Sequence, residues 1–528
     1  MLSSLARRAL RFADRHEWLA RIVNRIAIGA IIAAARRRPH PFSTAHDYTS
    51  WRALTDRSWS ARHLPADRRV DYPDIETLLA LFRRPEGGRR LCPKSTCLFP
   101  AFAQYLTDGF IRTESPEIHG RIHAGLDDAD RLKRNTSNHD IDLCPLYGRT
   151  YEQTLALRLR DEGRGRRGRL KSQIIDGEEY APFLFDGEEI AEEFRILDEP
   201  LGLADLKKGR PELTRSLFAF GGDRANSGPQ VAMMNTLFLR EHNRIAGLLE
   251  SANPHWDDER VFETARNCVI VLFIKIVIED YINHISPLPF RLRADPRVAW
   301  KASWNRTNWI TTEFSLLYRW HALIPDEIIW NGAAVPVRST FMNNRPLLQG
   351  GLRRGFAGLS AQPAGELGPF NTTEALLHVE RASIEQGRAT ALAGYSAYRR
   401  YMSMPAPKRF EEISSDPKVV ELLKRAYRRP RDIEYFIGLF AEDRSPNSPL
   451  PPLIRKMVAL DAFSQALTNP LLSEHVFNER TFTAEGMKII AETGSLRDLV
   501  LRNTPPEIGR RDEDLFIGMT RPGWREEA

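Results

Sequence analysis

The chain has 528 residues, 42% hydrophobic and 27% charged, with a formal net charge of +7. That balance excludes a disordered or fibrous chain and allows a sizeable buried interior, while the positive excess suits nucleic acid, anionic lipid or acidic small molecules. The four cysteines, Cys92, Cys97, Cys144 and Cys268, are too few for a secreted disulfide framework and fit a reducing compartment. Cys92 and Cys97 lack a second Cys/His pair at ligand spacing and read as ordinary residues.

Residues 1–40 form a distinct region. Leu2, Leu5, Phe12, Leu19, Ile22, Val23 and Ile26 recur at threes and fours among Arg7, Arg8, Arg11, Arg15, Arg21 and Arg25, a basic amphipathic pattern. The apolar stretch Ala27 to Ala35 is shorter than the ~20 residues of a membrane crossing and ends at Arg36, Arg37 and Arg38. The expectation is helices lying on a membrane surface, hence a cytoplasmic protein held peripherally. A signal peptide and a helix packed on the domain surface are the rival readings, the first weakened by Asp14 and Glu17.

Residues 41–528 carry no repeat or low-complexity tract and read as one catalytic domain. Helical periodicity predicts helices over Phe99 to Phe110, Val231 to Ser251, Asp258 to His284, Thr312 to Leu323, Glu374 to Gln386 and Pro417 to Tyr427. Strands are confined to Gln173 to Phe185, so the fold class is mainly α. The basic string at 425–431 comes without a nucleic-acid fold signature, and no nucleic-acid partner is expected.

Three segments carry chemistry. In N-T-S-N-H-D-I-D-L-C-P-L-Y-G, residues 135–148, Asn135 and His139 are four apart, so an amide and an imidazole can share a pocket and move a peroxide proton. A structural histidine and a helix cap are the plainer readings of the same pair. In L-R-E-H-N-R, residues 239–244, His242 stands between charged neighbours and reads as part of a buried hydrogen-bonded cluster. In T-T-E-F-S-L-L-Y-R-W-H-A-L-I-P-D, residues 311–326, a helix ended by Pro325 places Tyr318 and His321 on neighbouring faces. An imidazole there can hold haem iron, and a phenol beside the porphyrin edge can lose an electron to it.

These segments, in this order, resemble the animal-type haem peroxidase superfamily. Within it the chain is most similar to the cyclooxygenases, through S-Q-I-I-D-G-E-E-Y-A-P-F at 172–183, I-K-I-V-I-E-D-Y-I-N-H-I-S at 274–286 and A-S-I-E-Q-G-R at 382–388. The resemblance runs from about Tyr48 to about Asn503. It implies His321 as proximal iron ligand, His139 as distal acid/base beside Asn135, and Tyr318 as the radical-bearing tyrosine. Trp320 and Tyr281 match the accompanying tryptophan and the second tyrosine, and Arg224 resembles the distal arginine of the myeloperoxidase branch. Asn138 and Ser227 fall where that branch carries haem-binding carboxylates, implying non-covalent haem b; calcium is left open.

For substrate, Ser464 resembles the cyclooxygenase channel serine, and Arg36, Arg37 and Arg38 are candidates to bind a fatty-acid carboxylate. Leu288 replaces the tyrosine that partners the family's arginine, a departure that bears on cyclic endoperoxide formation. The implied activity is a dioxygenase/peroxidase. Peroxide oxidises the haem with His139 moving the proton, Tyr318 yields a radical that abstracts hydrogen from a long acyl chain, and O2 adds to give a hydroperoxide. The alternatives are a peroxidase of small donors and a haem-binding membrane-associated protein without turnover. A homodimer is compatible with the resemblance. Chain length and the carbon attacked, including α-carbon oxidation as in plant α-dioxygenases, stay open.

Overall fold

The structure, a computed structural model, describes residues 4–33, 43–45, 51–69, 71–113, 128–445, 447–506 and 512–524. It is mainly α, as expected. Two long helices, Pro229–Ala252 and Asp258–Ile276, pack against each other at the centre. Proline opens the first, where its missing N–H costs nothing, and the Asp257 carboxylate caps the second by accepting from the Arg260 backbone N–H at 2.8 Å. Val231, Leu237, Phe238, Ile245, Val269 and Leu272 are shut off from solvent between them, so burial rather than intrinsic propensity holds this pair. The Leu98–Asp108 helix lies against the first of the two, its Phe99, Phe102 and Leu106 buried.

Two predicted helices are interrupted where the chemistry lies. The helix expected through His284 gives way at Val277–Ile282 to a π-helical turn carrying Tyr281. Such a turn inserts a residue into the helical ladder and re-aims the side chains beyond it, and it is a feature concentrated at functional sites. The helix expected over 312–323 ends at Leu317. The Trp320 indole N–H donates to the Leu317 carbonyl at 2.6 Å, taking the acceptor that the backbone N–H of His321 would have used to continue the helix. A short 3-10 turn, His321–Leu323, comes next. Tyr318 and His321 therefore flank an unwound segment instead of sharing one regular helix.

The described strands form five two-stranded antiparallel pairs. Gln173–Ile175 pairs with Glu178–Tyr180 within the expected segment, turning at Asp176 and Gly177, which have φ of +49° and +82°. A second hairpin, Glu327–Trp330 with Ala333–Pro336, turns at Asn331 and Gly332 in the same left-handed region. Its Asn-Gly pair is a strong hairpin signal that periodicity alone overlooks.

At the N-terminus, Ser4–Asp14 and Glu17–Ala33 are helices, the second packed on the Pro452–Leu467 helix. Ala20, Asn24 and Ile28 face inward, with the Asn24 amide exchanging hydrogen bonds with the Arg293 backbone at 2.9 and 3.0 Å. Leu5, Phe12, Trp18, Ile22 and Ile26 face solvent. Among the described residues no helix is long and apolar enough to cross a membrane. Arg36, Arg37 and Arg38 lie outside the described residues.

Candidate functional site

A cavity of about 610 Å³ is lined by Gln104, Thr107 and Asp108 from the Leu98–Asp108 helix and by Tyr318, Arg319, Trp320 and His321 from the unwound segment. Arg224 and Ser227, from the loop preceding the first long helix, join them, with apolar walls from Ile111, Leu206, Ile324 and Val337. Buried Arg112 fixes that loop through one 2.8 Å hydrogen bond from its Nε–H to the Asp223 carboxylate and a second, ion-pair contact at 2.8 Å to the other carboxylate oxygen.

His321 is partly open to the cavity. Its Nδ1 lies 3.1 Å from Oε1 of buried Glu380, off the line of an ideal hydrogen bond, and the Thr372 hydroxyl donates to the same oxygen at 3.0 Å. With Nδ1 facing a carboxylate, Nε2 is the ring nitrogen left for a metal. Beside it, the Tyr318 ring stacks on Trp320 at 4.7 Å and meets Phe314 edge-on at 4.8 Å. Trp320 stacks in turn on Phe99, and Phe99 on Tyr281, each at 5.5 Å. The Tyr318 hydroxyl is turned away from solvent beside the Tyr281 hydroxyl, and neither makes a well-formed hydrogen bond. Burial raises both phenols well above their ordinary range, and that contact moderates the rise at Tyr318 alone.

On the helix wall the Gln104 amide donates to the Ser227 hydroxyl at 2.9 Å. Burial pushes the Asp108 carboxyl up to about 7 against the opposing pull of Arg224, while burial, together with Arg224, lowers the Arg319 guanidinium to about 10.

Residues 102–516 match the sequence model of the family described as animal haem peroxidase. This chain belongs to the animal haem peroxidase family. It is 29% identical to prostaglandin G/H synthase 1 of Rattus norvegicus and 30% identical to prostaglandin G/H synthase 2 of Equus caballus, each match covering 88% of this chain and 74% of the relative. The fold is shared with the fatty acid alpha-dioxygenase of Oryza sativa, at a TM-score of 0.64 and 17% identity over 85% of this chain and 81% of that one. Peroxidase A of Dictyostelium discoideum aligns at 0.63 and 18% over 88% and 93%.

As an animal haem peroxidase the protein binds haem. The residues of the cavity fit that group: a histidine with one ring nitrogen facing a carboxylate, apolar walls for a flat macrocycle, and Arg210 and Arg224 for its anionic side chains.

The expectation for His139 is corrected. His139 does not line the cavity: its Nδ1 accepts from the Ile310 backbone N–H at 2.8 Å and its Nε2–H donates to the Arg57 carbonyl. With both nitrogens bound to backbone it ties two segments together, and burial lowers it to about 4. Asn135 is likewise structural, its side-chain oxygen accepting from the Arg112 N–H at 3.0 Å and its amide donating to the Phe110 carbonyl at 3.2 Å. Asn138 is exposed and outside the cavity, so of the two positions matched to haem-binding carboxylates only Ser227 lines it.

Ser464 is fully buried, its hydroxyl donating to carbonyls of its own helix, and it does not line this cavity. His242 is buried between the Tyr147 hydroxyl and the Gly168 carbonyl, at 3.0 and 2.8 Å, in the hydrogen-bonded cluster expected of it.

The residues that sequence reasoning missed are Gln104, Asp108 and Glu380. Gln104 and Asp108 do carry a signal: they are polar and four apart on a largely apolar helix, and so share a face. Glu380 sits in a helix with many charges, where nothing local marks it.

Proposed function

We propose that this protein is a haem-dependent fatty-acid dioxygenase and peroxidase in which Tyr318 takes hydrogen from a long acyl chain. The observation that carries this is the placement of Tyr318: its ring lines the cavity of His321, while its hydroxyl turns inward to Tyr281. A phenol that only donated electrons to small molecules would gain nothing from a buried hydroxyl.

Haem held by His321 supplies the oxidising equivalents. Tyr318 gives up an electron and its hydroxyl proton together, because desolvation makes a bare phenolate costly there. The Tyr281 hydroxyl is the chief polar neighbour of the Tyr318 oxygen, placed to stabilise it after the proton leaves. The radical takes a hydrogen atom from the acyl chain, O2 adds to the carbon radical, and the peroxyl group recovers hydrogen from Tyr318. The product is a hydroperoxide.

Oxygen uptake with a mixed fatty-acid pool, and mass spectrometry of the products, test the reading. Tyr318→Phe is expected to abolish uptake and keep peroxidase turnover of small donors; uptake that survives the substitution overturns the radical role.

Non-covalent haem b, extractable with acidified organic solvent, is part of the same reading. So is membrane association through residues 1–40. Leu5, Phe12, Trp18, Ile22 and Ile26 are exposed alongside Arg8, Arg11, Arg15, Arg21 and Arg25, the surface of an interfacial helix pair. The fatty-acid carboxylate is assigned to the Arg36–Arg38 cluster just beyond them in the chain.

A further inference from the structure

We propose that Asp108, a carboxylate, is the proton-exchanging group of the haem cavity, accepting the proton of a hydroperoxide or other protic ligand as it enters and binds as its anion. The inference rests on His321 being the haem ligand and adds the identity of the base.

Asp108 ends the Leu98–Asp108 helix and lines the same cavity as His321. It is partly open to that space, and its Oδ2 is shielded from solvent with no hydrogen-bond partner. A buried carboxylate oxygen left unpaired is costly, and such a group persists where a ligand completes it. The histidine expected to do this work, His139, is spent on two backbone groups elsewhere.

The charges around Asp108 are mixed. Arg224 and Asp223 face it from the loop, Arg319 from the unwound segment and Arg112 from beyond the helix end. The cations hold the carboxylate without neutralising it by a direct pair, while burial, Asp223 and the negative end of its own helix favour the neutral acid. The balance, near 7, lets one group both take and return a proton at neutral pH. The exchange is simple: the carboxylate becomes a carboxylic acid, the ligand binds as its anion, and the proton is then available to an oxygen that leaves. Gln104, four residues earlier on the same face and held by Ser227, supplies an amide beside it.

Hydrogen cyanide is the probe, because it binds ferric haem as an anion and must lose its proton to do so. In the haem-loaded protein, the binding rate monitored at the Soret band is expected to rise with pH through a midpoint near 7. Asp108→Asn should slow it by about 100-fold and flatten the profile between pH 5 and 8, with the ferric Soret band retained; Asp108→Glu or Asp108→His should restore it. In the haem-free protein, infrared difference spectra should show a protonated carboxyl band that titrates near pH 7 and is absent in Asp108→Asn. Unchanged cyanide kinetics in a haem-loaded Asp108→Asn protein overturn the assignment to Asp108. Wild-type protein that takes up no haem overturns the reading of His321 instead.

Discussion

The imidazole Nδ1 of His321 lies 3.1 Å from Oε1 of Glu380, a carboxylate only 1% exposed at its side chain and steadied by the Thr372 hydroxyl. A carboxylate against one ring nitrogen raises the basicity of the other and so favours ferric over ferrous iron. Glu380→Gln should therefore keep haem but raise its midpoint potential, read by spectroelectrochemistry. Glu380→Leu should weaken haem binding by about 10- to 100-fold in a Soret titration. An unchanged potential in Glu380→Gln would separate this contact from the iron.

The Tyr281 hydroxyl has no well-formed hydrogen bond and its chief polar neighbour is Tyr318. Removing it leaves no buried partner stranded, so Tyr281→Phe should change stability by less than about 1 kcal/mol. The radical trapped on Tyr318 should change: its electron paramagnetic resonance spectrum should shift as the phenoxyl oxygen loses its chief polar neighbour, and oxygen uptake should fall while peroxidase turnover holds.

His139→Ala strands the Ile310 N–H and the Arg57 carbonyl. A loss of about 2–4 kcal/mol in urea denaturation is expected, with peroxide turnover per haem unchanged in protein that remains folded. A fall in per-haem turnover matching that of Asp108→Asn would return the proton-transfer role to His139.

Burial also holds His139 at about 4 and His242 at about 3, against 6.5 when unfolded. Below pH 6.5 the unfolded chain binds protons that the folded one refuses, so these two histidines destabilise the fold as pH drops from 6.5 to about 3. Their contribution is fully present above pH 6.5. The urea midpoint should decline across that window, and His242→Gln should soften the decline.

Gly221 sits where a Cβ would meet the Gly148 backbone nitrogen at 2.0 Å and the Cys144 carbonyl at 2.4 Å. Backbone on both sides cannot yield, and the Arg224 loop comes directly after it. Gly221→Ala should cost about 3 kcal/mol in thermal unfolding and lower haem occupancy with it.

The mainly α fold and the two long central helices were legible in the residue order, since amphipathic spacing is a local property, whereas Tyr281, Tyr318, Trp320 and His321 stood out as a set only through the resemblance to the haem peroxidases. Where the helices would break was not. The Trp320 indole competes for a single carbonyl at Leu317, and the π-helical turn at Val277–Ile282 interrupts a run whose apolar pattern reads as continuous. Such choices between nearly equal hydrogen bonds are settled by packing on neighbouring elements.

The same limit explains the exchange of His139 for Asp108. Asn135 with His139 and Gln104 with Asp108 are both polar pairs four residues apart, indistinguishable by spacing, and histidine looks the better acid/base on chemistry alone. Sequence by itself determined which side chains could share a face with one another and which redox groups the chain carries. Only the tertiary structure decided which of those faces meets the cavity of His321, because that depends on contacts between residues more than two hundred positions apart, beyond the reach of any helical period.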